Sequence, residues 1–361
     1  MSLLASYHVT VAQPALRSVY AGADAPFRPE CIVENLARVC GLVERAAREH
    51  DAKLVVFPEF CVQGYAVNRS IADWERAGIL LPGPETAEMA KVARASGAII
   101  AGAVFERIPA FPGRYFMSGF VITPEGATPE AQLKLVYRKL YAVSHKTRPG
   151  DMYDPFVAKF GAESLFPVID TPLGKIGCAV AGDIAMPEMV RALALRGAEL
   201  VFVPTAAAYA PSYASRSEAP HEPLGPAMSM VRRVRAWENV MFLAASNIAP
   251  FLEGGGLGPD DFVRSEIVDY LGRVIARADT GEETLVTARV DMAALRKHRA
   301  DGRFNYLTHL QPELHTPDYA AAKLSPLNTH SAQPLKDGQA FADLLDRTWR
   351  EMVATGVFHG G

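Results

Sequence analysis

Gly174-Lys-Ile-Gly-Cys178-Ala-Val-Ala181-Gly-Asp183-Ile-Ala-Met-Pro187-Glu188 opens like a buried strand and closes like a helix, with a tight turn between them. Lys175–Ala181 has the apolar, small-residue character of a strand covered on both faces. Pro187 suits the first position of a helix, where its missing N–H has no partner to lose, and the apolar spacing carries that helix to Arg196. Leu200–Pro204 then reads as the next buried strand. Strand, turn, helix and strand in this order form the repeating unit of a layered α/β fold. Backbone N–H groups at such a turn can receive an oxyanion, and the helix dipole lowers the pKa of a thiol placed there.

The same alternation extends in both directions. Upstream, Tyr7–Ala12 is a short strand, and Ile32, Leu36, Val39, Val43 and Ala46 mark a helix over Cys31–Ala47 at three- and four-residue spacing. Leu54–Phe57 is a buried strand ending at Pro58, and Thr86–Ala95 is a helix stopped by Gly97 before the strand Ala98–Val104. Phe116–Thr123 and Gln132–Arg138 are strands flanking the turn-rich Pro124–Glu130, and Ser144–Ser164, rich in Pro, Gly and Asp, reads as irregular. Downstream come a helix over Met228–Asn239, a strand over Val240–Ser246 and a hairpin pairing Ser265–Asp269 with Arg273–Ala278. Thr284–Asp291 is a further strand and Met292–Arg299 a helix. Hairpins and crossovers together imply mixed sheets. Residues 1–303 read as one α/β domain and 304–361 as a C-terminal extension with an amphipathic helix over Ala340–Val353. Phe341, Leu344, Leu345 and Trp349 on that helix need cover, from the core or from a partner subunit.

Composition excludes several classes of function. The 361 residues carry 37 basic and 40 acidic side chains, a net charge of −3, with neither sign clustered. A nucleic-acid or anionic-membrane surface is not expected from that balance. The N-terminus lacks a charged-then-apolar leader and no apolar run is long enough to span a bilayer, so a cytoplasmic location is expected. Cys31, Cys40, Cys61 and Cys178 show no C-x-x-C spacing, so neither a zinc knuckle nor a disulfide framework is indicated, and the nine histidines show no H-E-x-x-H or comparable ligand spacing. There is no G-x-S-x-G elbow for a serine hydrolase. The glycine-rich run at Gly254–Gly258 precedes no convincing helix and reads as a loop.

Three segments are candidates for chemistry. Glu59, in Phe57-Pro58-Glu59-Phe60-Cys61, lies just beyond the C-terminal end of a buried strand, where ligand crevices of α/β sheets form. The plainer alternative is a carboxylate that caps a helix or pairs with a lysine. Lys139, in Val136-Tyr137-Arg138-Lys139, ends an apolar strand, where a solvated edge lysine is the commoner case. The turn after Ala181 is the third, its bland reading being an ordinary strand–helix junction.

Taken in order, these segments resemble the nitrilase superfamily of carbon–nitrogen hydrolases. Val11-Ala12-Gln13, Pro58-Glu59 with Gly64-Tyr65, Tyr137-Arg138-Lys139, Asp183 with Pro187-Glu188, Arg235-Ala-Trp-Glu238-Asn239, Ala245-Ser-Asn247, and Ser265, Asp269 and Gly272 all fit, over about residues 5–300. The resemblance implies a four-layer αββα sandwich that assembles as a homodimer or a higher even-numbered homo-oligomer. It also implies a Glu–Lys–Cys triad acting through a thioester, without a cofactor, on a small-molecule amide. Carried over, Glu59 is the general base, Lys139 and the Gly182 N–H hold the oxyanion, and the nucleophile belongs at position 181. That residue is Ala181, which cannot form a thioester. An engineered Cys→Ala change explains this, and so does a natural pseudoenzyme that binds a metabolite; the intact Glu59 and Lys139 motifs favour the former. On strand alternation Cys178, at an odd offset from 181, points away as a buried structural cysteine. Cys61 is not expected to substitute.

Gly182-Asp183 favours an amide substrate over a nitrile, since nitrilases of this superfamily usually follow the cysteine with Trp-Glu. Ile184-Ala185 lacks the arginine pair of a D-amino-acid carbamoylase. The second glutamate that many amidases place after the lysine is missing from Tyr141–Arg148, where His145 is a possible substitute. Loops carrying Tyr65, Tyr141, His145, Ala206 and Tyr209 are expected to wall the substrate pocket.

Overall fold

The computed structural model describes residues 3–22, 24–66, 69–142, 146–206, 224–249, 263–322 and 324–359. Its strands, in chain order, are β1 (Ser6–Gln13), β2 (Ala52–Val56), β3 (Ile99–Glu106), β4 (Phe116–Ile122), β5 (Leu133–Arg138) and β6 (Val168–Thr171). They continue with β7 (Gly174–Cys178), β8 (Leu200–Pro204), β9 (Phe242–Ser246), β10 (Glu266–Val268), β11 (Val274–Arg277) and β12 (Thr284–Asp291). These form two six-stranded sheets, ordered β12-β1-β2-β3-β4-β5 and β11-β10-β9-β8-β7-β6. Both are mixed: β1, β2 and β3 run parallel while β12 and β4 are antiparallel neighbours, and β7, β8 and β9 run parallel between antiparallel β6 and β10. Helices cover the sheets, and the architecture is the four-layer α/β sandwich that the sequence resemblance implies.

Alternation along the strands separates the layers. On β2, Leu54 and Val56 join the core between the sheets while Val55 faces the helix layer. On β3, Ala101 and Ala103 face the other sheet and Ile100 and Val104 face the helices. That outer layer includes the helix Glu30–His50, whose Val39, Leu42, Val43 and Ala46 are buried at helical spacing. Both faces of these strands are covered, so they read in the sequence as unbroken apolar runs rather than alternating ones.

The sheets approach closely where β4 meets β7. A Cβ at Gly119 would come within 2.4 Å of Cys178 Sγ, so glycine is required for the two layers to meet there. Several resemblance-carrying residues prove to be ties across this sandwich. Asn247 N–H donates to Ser265 Oγ at 2.9 Å, and Ser265 Oγ donates to Gln13 Oε1 at 2.9 Å. Gln13 in turn donates to the Thr280 and Glu282 carbonyls at 2.9 and 2.7 Å. Ser246 Oγ donates to the Ala12 carbonyl.

The structure departs from the sequence reading in several places, among them the following. The stretch read as irregular contains a helix, Tyr153–Phe160, whose Phe156 packs with Ile108, Phe111, Phe116 and Met152. The helix Ile71–Ala77, unmarked by apolar spacing, is set by a capping box in which Ser70 and Asp73 exchange side-chain-to-backbone bonds of 3.1 and 3.2 Å. Finally β7 ends at Cys178, before position 181. Cys178 and Ala181 therefore do not share one strand, and alternation does not set which way Cys178 points relative to position 181.

In the extension, Phe341 and Leu344 are buried, whereas Leu345 and Trp349 are half-exposed at 49% and 50%. Its chain bonds to the segment before β4 and to the turn at Gly150: Arg114 donates to the His330 and Ser331 carbonyls, Asn328 N–H to Gly150 O and His330 N–H to Asp151 O. Among the described residues no helix is long and apolar enough to cross a membrane.

Candidate active site

Tyr137, Arg138 and Lys139 end β5 and continue just past it, and each binds a different buried carboxylate. Successive side chains leave a strand on opposite faces, so Tyr137 and Lys139 share a side that Arg138 does not. Arg138 donates to Glu106 through Nε at 2.8 Å and Nη2 at 2.7 Å, and Ser118 Oγ adds a 2.6 Å bond to Glu106 Oε2. This buried fork braces β3, β4 and β5 behind the site. On the other side, the Tyr137 hydroxyl donates to Asp183 Oδ2 at 2.8 Å, and Lys139 Nζ donates to Glu59 Oε1 at 2.8 Å.

Glu59 reaches Lys139 because the chain beyond β2 stays bound to β3 while it turns. Phe57 N–H donates to Ala101 O at 2.7 Å, Cys61 N–H to Ala103 O at 3.1 Å and Ala103 N–H to Pro58 O at 3.3 Å. Phe60 completes the turn with φ +59°, a left-handed backbone that is uncommon for a bulky side chain. Glu59 and Lys139 are each only 4% exposed.

The third segment arrives from the opposite sheet. After β7 the Ala179 N–H donates to Phe202 O at 3.1 Å, and a 3₁₀ turn over Ala181–Ala185 begins with φ +45° at Ala181. Strain of this kind concentrates at functional positions. Asp183 anchors the turn: beside the Tyr137 bond, it accepts the Val180 and Tyr141 N–H groups, each at 2.9 Å. From behind, Arg235 donates to the Ile184 carbonyl at 3.1 Å and the Ala185 carbonyl at 3.2 Å, itself held by Glu238 at 2.9 Å. The turn carrying Ala181 and Gly182 is thus fixed from both sheets.

Burial shapes the electrostatics. It raises the Asp183 carboxyl to about 6, with the Lys139 charge and then the Tyr137 hydroxyl pulling the other way. It also lifts the Tyr137 hydroxyl well above its ordinary range, with the Asp183 charge adding to the effect. The Cys178 thiol is pushed well up by burial and by Asp183. Cys61, whose Sγ faces Gly102 in the helix-side core, is pushed up to about 12 by burial. Neither is poised as a thiolate.

One charged residue at the site was not anticipated from the sequence. Lys146 is 6% exposed, and its Nζ lies 5.7 Å from the ring centroids of Phe60 and Tyr65 and 6.0 Å from that of Phe105. Burial, followed by the Lys139 charge, lowers its ammonium to about 8, against the pull of Glu59. Its one signal in the sequence is its position in Tyr141–Arg148, where the resemblance leads one to expect a second glutamate.

Of the expected pocket residues, Tyr65 lies in an aromatic stack, 4.8 Å from Phe60 and 5.4 Å from Trp74 between ring centroids. Tyr141 joins the site through its backbone bond to Asp183, with its ring at the surface near Glu188. Ala206 is buried just beyond β8, the neighbour of β7. His145 and Tyr209, with the glycine-rich run at 254–258, lie outside the described residues. Among those described, no group of three or more His, Cys, Asp or Glu side chains is placed to hold a metal ion.

A buried carboxylate, an ammonium and a fixed backbone turn therefore meet where both sheets end, an arrangement suited to proton transfer and oxyanion stabilisation. The family model described as carbon-nitrogen hydrolase matches residues 21–300. An omega-amidase (NIT2) of Bos taurus is 26% identical over 268 residues, 74% of this chain and 86% of its own. A protein described as hydrolase in pqqF 5'region, from Pseudomonas protegens, is 29% identical over 300 residues, 81% of this chain and 88% of its own. The solved structure of a carbon-nitrogen hydrolase from Helicobacter pylori superposes with a TM-score of 0.62 at 21% identity, covering 87% of this chain and 98% of the other.

Proposed function

Because this chain belongs to the carbon–nitrogen hydrolase family, we propose that its site is built to open the carbon–nitrogen bond of a small-molecule amide, with Glu59, Lys139 and position 181 as the reacting triad. The observation that carries this reading is the buried Lys139–Glu59 pair at 2.8 Å, on a chain segment whose neighbours Tyr137 and Tyr141 bind Asp183 in the strained turn that begins at Ala181. The amidase relative adds weight to an amide over a nitrile.

In the cysteine form, Glu59 takes the thiol proton and the sulfur attacks the amide carbonyl carbon. The oxygen, now negative, is held by the Lys139 ammonium and the Gly182 N–H. One such donor is typically worth about 3–4 kcal/mol. Glu59 then protonates the departing ammonia or amine, leaving a thioester, and afterwards activates the water that cleaves it. With Ala181 the cycle stops before the covalent step, and the chain holds an amide that it cannot hydrolyse. Tyr65, Tyr141 and Ala206, with His145 and Tyr209, are the proposed pocket wall.

We assign residues 1–303 to the catalytic domain and 304–361 to an extension packed on it; the Tyr319 hydroxyl donates to Glu188, beyond the turn. A homodimer is the proposed assembly. Met230, Val234 and Trp237 on the helix Leu224–Asn239, together with Leu271, form an exposed apolar face for a second copy to cover.

The test is Ala181→Cys, scored for ammonia or amine release across amides, ureido acids and nitriles. Turnover of amides that disappears again in Ala181→Cys/Glu59→Gln supports the reading. A folded Ala181→Cys protein without turnover across the panel overturns it in favour of a non-catalytic binder, and release from nitriles alone makes it a nitrilase.

A further inference from the structure

Tyr137 and Asp183 have no reacting role in the proposed amide cycle, yet both are fully buried and they meet from opposite sheets, Tyr137 on β5 and Asp183 in the turn after β7. Three donors converge on the one carboxylate. Its Oδ2 accepts the Tyr137 hydroxyl at 2.8 Å and the Val180 N–H at 2.9 Å, and its Oδ1 accepts the Tyr141 N–H at 2.9 Å. The Tyr137 hydroxyl in turn accepts the Leu140 N–H at 3.1 Å.

Two short stretches of chain hang on this pair. In the first, the N–H groups of Lys139, Leu140 and Tyr141 go in succession to Met117 O at 2.9 Å, to the Tyr137 hydroxyl and to Asp183 Oδ1. In the second, Asp183 holds Val180 twice, since its own N–H also donates to Val180 O at 3.1 Å. Ala181 and Gly182 are the two residues enclosed between those bonds.

One stretch carries the Lys139 ammonium and the other the Gly182 N–H, the two oxyanion donors of the amide reading, on which this inference rests. We infer that Asp183 and Tyr137 are positioning residues that fix these two donors, one from each sheet, relative to each other. Oxyanion stabilisation depends on donors aimed in advance, and a displacement of about 1 Å can cost about 10²-fold in rate. A carboxylate is required because its two oxygens must accept all three donors at once. An asparagine offers a single accepting oxygen. Placed where Oδ2 lies, it keeps Tyr137 and Val180 but turns its own NH₂ donor toward the Tyr141 N–H. The stretch bearing Lys139 is then released while the turn stays closed.

Hydrogen exchange read by peptide mass on the full chain, with Ala181, tests this geometry without any turnover. Asp183→Asn should speed exchange of the peptide containing Leu140 and Tyr141 about tenfold or more, with the peptide containing Val180 much less affected. Tyr137→Phe, which removes the acceptor of the Leu140 N–H, should speed the same peptide, and it carries the test alone if Asp183→Asn does not fold. Unchanged exchange at Leu140 and Tyr141 in both variants, or an equal rise throughout the chain, overturns the inference. In an active Ala181→Cys background, Asp183→Asn should lower kcat about 10–10²-fold with KM held within about twofold. Where Lys139→Met is already present the further loss should be under about threefold, because the donor being positioned is gone. A change in KM alone, or a loss that multiplies in full with that of Lys139→Met, overturns it. If Ala181→Cys turns over no amide, the amide reading fails and the exchange pattern decides the inference by itself.

Discussion

Lys139 Nζ lies 2.8 Å from Glu59 Oε1, joining residues 80 positions apart in a pair that is almost wholly withdrawn from water. Breaking such a pair on one side strands a charge in a poorly solvating interior. Lys139→Met should therefore lower stability by about 3–5 kcal/mol, and Glu59→Gln/Lys139→Met should cost clearly less than the two single changes added together. Urea denaturation of the four proteins measures this. Additive losses contradict a direct pair.

The same pair has a kinetic signature. In an active Ala181→Cys background, Lys139→Met should lower kcat about 10²–10³-fold, the usual effect of removing one oxyanion donor. Steady-state kinetics on the best amide checks it. A change confined to KM would assign Lys139 to ground-state binding instead.

Ala181 holds φ +45°, where a Cβ is a liability. Ala181→Gly should stabilise the protein by about 1 kcal/mol, since the relief of left-handed strain slightly exceeds the entropy that glycine adds to the unfolded chain. Chemical denaturation gives the sign directly. A loss of stability would mean that the turn is relaxed.

Asp183 supplies a pH dependence of defined sign. Its carboxyl is raised by burial to about 6 from 3.8, so the native state holds that proton more tightly than the unfolded chain. The contribution of this group to stability is full below about 4, falls as pH rises towards 6, and is level above that; its size is on the order of 3 kcal/mol. Denaturation at pH values from 4 to 7 should show a downward slope that Asp183→Asn removes. An unchanged slope in Asp183→Asn refutes the assignment.

Gly119 and Cys178 set the gap between the sheets. Gly119→Ala places a methyl 2.4 Å from Cys178 Sγ and should cost about 1–3 kcal/mol, with partial recovery in Gly119→Ala/Cys178→Ala. A thermal-melt double-mutant cycle reads the coupling. No recovery would place the clash elsewhere.

Much of the fold could be read from local chemistry. Leu54–Phe57 and Leu200–Pro204 read as buried strands because both of their faces are covered, and the spacing from Ile32 to Ala46 marks a helix because one face is. Glu59, Lys139 and the turn at Ala181 were recognisable as candidates because each follows an apolar strand. The helix Tyr153–Phe160 escaped because flanking Pro, Gly and Asp hide a short apolar face that has meaning only against Phe111 and Phe116.

Sequence by itself therefore determined most of the strands and helices, the family resemblance and the absence of a thiol at position 181, each of which depends on residues near one another in the chain. Tertiary structure alone decided which charges meet. Arg138 takes Glu106, Tyr137 takes Asp183 and Lys139 takes Glu59 because strand alternation and two converging sheets bring together groups 32, 46 and 80 residues apart.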